Sequence, residues 1–137
     1  MYKVTISSIF LVFILCLVGC ESGIEVRGTV WEARDADLAE GIRLAEENMS
    51  ECQSWVRPLE GATVELHMPE EWIKIRSNPW RQVTTDARGK FHIYQVVGRG
   101  DYNYKIRILK PGYKTITREF NQLKQDELEV DAILKKE

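Results

Sequence analysis

The sequence is short of the residues that build reactive centres. Two histidines, His67 and His92, and three cysteines, Cys16, Cys20 and Cys52, occur in 137 residues. The histidines stand far apart in the chain, without the clustered donor pairs of a zinc site, and isolated strand histidines are ordinary rim or surface residues. No serine lies in a nucleophile elbow or beside another activating motif. Neither charge sign dominates: 19 basic and 21 acidic side chains, interspersed, leave a formal charge of −2. That balance lacks the basic footprint of a nucleic-acid surface. The acidic pairs Glu46-Glu47, Glu70-Glu71 and Asp126-Glu127 lack the ordered oxygen spacing of a calcium loop and read as solvated faces. Long apolar runs are missing as well. The longest, Ile9 to Val18, has ten residues, and extending it back to Val4 makes fifteen. At about 1.5 Å per residue even the longer version covers roughly 23 Å, short of the ~30 Å of bilayer hydrocarbon.

What is present at the N-terminus is the pattern of an export leader. Lys3 precedes the apolar run and the small residue Gly19 closes it. Leu17-Val18-Gly19-Cys20 resembles the lipobox of bacterial lipoproteins, in which the cysteine sulfur receives a diacylglyceryl group, the chain is cleaved before it, and the new amine is acylated. The resemblance implies lipidation of Cys20 by fatty-acyl chains such as palmitate, with residues 1–19 as signal peptide and 20–23 as a lipidated tether. Several acyl chains at about 0.8 kcal/mol per buried CH₂ form a stable anchor. The expected place is the bacterial cell envelope. Glu21 is acidic without being the aspartate associated with inner-membrane retention, which favours the outer membrane in a cell that has one.

Removal of residues 1–19 leaves 118 and takes the formal charge to −3, a size that supports one domain, 24–137, with its own core. Cys16 departs with the leader and Cys20 carries lipid, so Cys52 remains alone and no internal disulfide forms.

The mature chain is patterned mainly for strands. Ile24, Val26, Gly28 and Val30 alternate with Glu25, Arg27, Thr29 and Trp31, a half-buried strand. Ala62 to Met68 repeats the pattern after the turn residues Pro58 and Gly61. "QVTTDARGKFHI" is a hairpin signal, with Asp86 bonding its own turn and Gly89 supplying a positive φ. Pro111-Gly112 marks a type II turn between strands at Tyr104–Ile108 and Ile116–Phe120. The last strand places Leu128, Val130, Ala132 and Leu134 on one face. Between the first two strands, Leu38, Ile42, Ala45, Met49 and Cys52 share a stripe at helical spacing, and Asp37 with Glu40 has the capping-box offset, so Asp37 to about Ser54 is predicted to be an amphipathic helix. Leu44 lies off that stripe. The expected fold is mainly β: a seven-stranded antiparallel sandwich with one inserted helix.

Four motifs, Gly28-Thr29-Val30, Pro58 to Val64, Thr85 to Phe91, and Pro111-Gly112-Tyr113, resemble those of the carboxypeptidase regulatory-like family, a transthyretin-like sandwich. Each is a turn-and-core motif, so the resemblance implies a fold and transfers no catalytic residue. Transthyretin-like hydrolases of purine breakdown end in Tyr-Arg-Gly-Ser, whereas this chain ends "AILKKE". The insert of about Glu32 to Arg57 and the loop "PEEWIKIRSNPW" depart from the compact family pattern, and loops are where particular function resides. They also carry the tryptophans. Trp72 and Trp80 flank the long loop and Trp55 ends the insert, and exposed tryptophans stack on sugars or anchor protein interfaces. If instead they fold back, they form a lid over the sandwich edge.

The sequence therefore leads to a lipid-anchored, non-enzymatic binding or scaffolding module that holds an envelope protein through the insert or the tryptophan loop. A glycan-binding lipoprotein using Trp72 and Trp80 is the second reading, and a small envelope hydrolase the third. No cofactor, metal or nucleic acid is implied.

Overall fold

The computed structural model describes residues 22–35, 38–45, 47, 53–73 and 79–137. Nine strands occur among them: β1 (Gly23–Ala33), β2 (Gly41–Leu44), β3 (Val56–Pro58), β4 (Thr63–His67), β5 (Arg81–Thr84), β6 (Lys90–Val96), β7 (Asn103–Leu109), β8 (Ile116–Asn121) and β9 (Glu127–Leu134). A 3-10 turn at Gln53–Trp55 and a single helical turn at Glu70–Ile73 are the only helical pieces in the described residues. The strands form two sheets. In the first, β2, β9 and β1 lie in that order, and β6 and β3 share the other side of β1; the second runs β5-β4-β7-β8. The fold is a mainly β sandwich.

Period-two patterning explains the core. Ile24, Val26 and Val30 from β1, Val64 and Leu66 from β4, and Tyr104, Ile106 and Ile108 from β7 are all buried in one cluster between the sheets. Alternate positions point to opposite faces of a strand, so each of these runs supplies one wall. Seven of the nine strands coincide with the expected ones.

β1 organises the first sheet. Its residues 25–32 pair in parallel with β9, 23–29 pair antiparallel with β6, and 31–33 pair antiparallel with β3. The handover between β6 and β3 falls at Val30, whose N–H donates to the Gly89 carbonyl (2.8 Å) and whose carbonyl accepts from Leu59 N–H (2.9 Å). Gly89 has φ +72, and a Cβ there would lie 2.4 Å from the Val30 oxygen. The Asp86 carboxylate accepts from Arg88 and Lys90 N–H (2.9 Å each) and holds the hairpin tip. Thr85 locks this tip to the Pro58–Ala62 turn: its hydroxyl donates to the Leu59 carbonyl (2.7 Å) and accepts from Ala62 N–H (2.9 Å). The second and third sequence motifs are thus two halves of one interlocked structure.

Three features differ from expectation. The helix at Asp37 to Ser54 is not seen: Gly41–Leu44 is a strand on the β9 edge and Gln53–Trp55 a 3-10 turn, while Asp37, Met49 and Cys52 lie outside the described residues. Helical propensity is a weak prior, and the open N–H and C=O groups of β9 offer β2 a ladder that outweighs it. Leu44, misplaced on a helical stripe, packs with Ile42 against the main core at strand spacing. Second, nine strands replace seven, and the β1–β9 pair is parallel. Third, β9 does not simply alternate, because Ala132, Ile133 and Leu134 are all buried. Leu38 of the insert, with Val56, covers Ile133, Trp31 and Ala33 in a second small cluster, which dries the outer face of the sheet at that end.

β1 rises about 3.3 Å per residue, so its two ends stand roughly 33 Å apart. At the N-terminal end lie Ser22, the loops 97–102 and 121–126, and the helical turn after β4. At the far end lie Gln53–Trp55, the start of β2 and the turns at Gly61, Gly89 and Gly112.

Candidate functional site

The three tryptophans of interest divide between these ends. Trp55 is at the far end, where the insert rejoins the sheet. Its carbonyl accepts from Arg34 N–H (2.7 Å), clamping the neck of the insert, and its side chain is 51% exposed. An indole that open offers a partner about half of its surface.

Trp72 and Trp80 are at the N-terminal end and are half-buried against the main core. Trp72 meets Trp80 edge-on with centroids 6.0 Å apart and lies 4.7 Å from the Tyr102 ring. The backbone sets this arrangement: Trp72 N–H donates to Pro69 and Trp80 N–H to Leu66, both at 2.9 Å. Trp72 and Trp80 therefore form the lid described above as the alternative to an open stacking platform. Tyr102 completes the trio and was not singled out in the sequence, where it is one of five tyrosines. Burial raises its phenol pKa above the ordinary value, and its hydroxyl donates to the Gly98 carbonyl (2.8 Å). Beside the trio is a groove of about 500 Å³ lined by Met68, Pro69, Asp101, Asn103, Lys105 and Glu119 among others.

The most strongly perturbed carboxylate is Glu32, to which the sequence assigns no role. It is the last residue of the inward series Ile24, Val26, Gly28, Val30, and a carboxylate at an inward position was the signal available. Glu32 is 5% exposed. Arg57, its register partner on β3, donates to it from Nε at 2.5 Å, and Lys136 Nζ stands 3.3 Å away. The Arg57 hydrogen bond is the largest cause holding its pKa at about 2, against opposing burial, with help from Tyr113 and Lys136. Burial first, and then the hydrogen bond between Tyr113 and Glu32, raise the Tyr113 phenol above its ordinary value. This clasp ties β1, β3, the β7–β8 turn and the C-terminal tail together.

His67 on β4 pairs with the buried Glu65 (2.9 Å), and exposed His92 on β6 pairs with Glu25 (3.0 Å). They belong to different sheets, and among the described residues no three His, Cys, Asp or Glu side chains cluster as a metal site. Cys20 and Cys52 lie outside the described residues. No described helix is long and apolar enough to cross a membrane.

No family model and no curated protein matches the sequence. Solved structures match the fold. Two variants of the shaft pilin SpaA from Lactobacillus rhamnosus GG align over 85% of this chain, with TM-scores of 0.54 and 0.52 at 14% and 13% identity. Catechol 1,2-dioxygenase from Pseudomonas arvilla C-1 aligns over 85% at TM-score 0.50 and 14% identity. The chain corresponds to about half of each of these proteins, 51 to 53% of their length. The fold that the chain shares with them is a two-sheet β-sandwich. At such identities the likeness is one of fold, and neither pilus assembly nor dioxygenase activity transfers with it.

Proposed function

We propose that the protein is a lipid-anchored, non-enzymatic binding module of the bacterial envelope, held to the membrane through Cys20 and presenting the far end of its sandwich to a protein partner. The observation that carries the partner side is Trp55: a large aromatic 51% exposed, on an insert whose Leu38 is packed onto the sheet. Rigid, exposed aromatics of this kind are the usual anchors of protein interfaces. The finer family reading, a carboxypeptidase regulatory-like sandwich, is supported by the interlock of Thr85 and Gly89 with the Pro58–Ala62 turn, since those contacts give the shared motifs a common structural purpose.

Sugar stacking at Trp72 and Trp80 has less support, because their rings pack on each other, on Tyr102 and on the core. The polar groove beside them keeps that reading testable. The experiment is in-cell cross-linking of the full-length protein, with Trp55→Ala and Trp72→Ala/Trp80→Ala strains beside it. A recurrent protein partner lost with Trp55→Ala supports the proposal. Recovery of wall or capsular sugar instead, lost only in the double variant, would overturn it in favour of the glycan reading. Cys20→Ala is expected to abolish lipid labelling and processing after Gly19.

A further inference from the structure

The N-terminal end of the sandwich carries exposed apolar groups that the fold itself does not use. Val96, the last residue of β6, is 52% exposed, and Leu123, in the loop after β8, is 47% exposed. Two cations stand in the same loops, Arg99 and Lys124, both exposed, and neither side chain pairs with any described residue. The half-buried Trp72, Trp80 and Tyr102 belong to this end too, across the thickness of the sandwich. Trp and Tyr, apolar in body and polar at one edge, are the side chains that best suit a membrane interface.

The chain's own geometry specifies what meets this face. Ser22 is pinned to the end of β6: its hydroxyl donates to the Val97 carbonyl (2.5 Å) and its carbonyl accepts from Val97 N–H (3.1 Å). Only Glu21 separates Ser22 from Cys20. Two residue steps span at most about 7 Å, close to the roughly 5–8 Å of headgroup layer on each side of a bilayer. A sandwich anchored through Cys20 therefore has almost no slack.

We propose that this end is a membrane-docking face, laid against the phospholipid headgroups by the Cys20 anchor, so that β1 stands away from the membrane and Trp55 lies at the end remote from it. The proposal rests on the lipid-anchor reading. Val96 and Leu123 enter the interface, while Arg99 and Lys124 meet lipid phosphates. The carboxylate of Asp101 accepts from Asn121 (2.7 Å), and Asp126 and Glu127 are exposed at the same end. With Glu71, exposed on the helical turn at this end, these acids outnumber the two cations, so the acyl chains supply the attachment and the face sets only the orientation. The end that holds a partner is then the one lifted roughly 33 Å from the bilayer, by the length of β1.

The test uses the full lipoprotein purified from its host and reconstituted into vesicles of phosphatidylethanolamine and phosphatidylglycerol. In a Cys52→Ser background, an environment-sensitive fluorophore is attached at Val96→Cys, Leu123→Cys, or Arg88→Cys at the far end, and intact-mass measurement confirms acylation of Cys20. The expected result is quenching by headgroup-located spin probes that is several-fold stronger at 96 and 123 than at 88. Leu123→Asp is expected to weaken quenching at 96 without releasing protein from vesicles. Equal, weak quenching at all three positions in acylated protein would overturn the docking face and leave the anchor standing. A mature chain without lipid on Cys20 would overturn both.

Discussion

Replacing Glu32 with glutamine should convert an acid-sensitive protein into a less stable but less acid-sensitive one. The carboxylate is held at a pKa of about 2 from an ordinary 4.5, and every tenfold drop in its proton affinity is worth about 1.4 kcal/mol of preference for the charged form. Full linkage would then give roughly 3 kcal/mol at neutral pH. The Arg57 and Lys136 side chains are 50% and 64% exposed, so solvent screens them, and a net contribution of about 1–2 kcal/mol is the better expectation. Because the folded carboxylate binds its proton less readily than the unfolded one, the contribution is complete above pH 4.5. It drains away as pH falls from 4.5 to about 2. Urea unfolding of wild type and Glu32→Gln across that range measures it directly. The difference in stability should be largest near neutral pH and approach zero toward about pH 2. A difference that does not change with pH, or none near neutrality, would refute the assignment of the clasp to Glu32.

Gly89→Ala and Thr85→Val probe the interlock where the chain crosses between the sheets, with Gly112→Ala in the β7–β8 turn as a control. Gly89→Ala puts a Cβ 2.4 Å from the Val30 oxygen at φ +72, whereas Gly112→Ala, at φ +85, meets open space. The second should cost about 1–2 kcal/mol from backbone strain alone, and the first clearly more, or abolish folding; equal costs by denaturant titration would contradict the contact. Thr85→Val leaves the buried Leu59 carbonyl and Ala62 N–H without their hydroxyl partner and should cost at least about 2 kcal/mol. A loss below half of that in the same titration would show that water or a shifted backbone replaces the hydroxyl.

By itself the sequence determined the elements whose instructions are local. Period-two runs such as Ile24-Val26 and Tyr104-Ile106-Ile108 carry their own inward face, and Asp86, Gly89 and Pro111-Gly112 carry their own turns, because side-chain alternation and φ preference act over a few residues. Tertiary structure decided whatever depends on a distant neighbour. Residues 41–44 became a strand because β9 offered an open edge, and Ile133 became buried because Leu38 and Val56 came to lie over it. Glu32 kept its charge in a nearly buried place because Arg57, Tyr113 and Lys136 arrive from other parts of the chain. The tryptophans show the same division. Their number and spacing can be read from the chain, but which stays open depends on the core beneath. Trp72 and Trp80 found Tyr102 and a hydrophobic edge to cover, while Trp55 ends a short turn before a strand whose apolar contacts were already satisfied by Leu38 and Ile133.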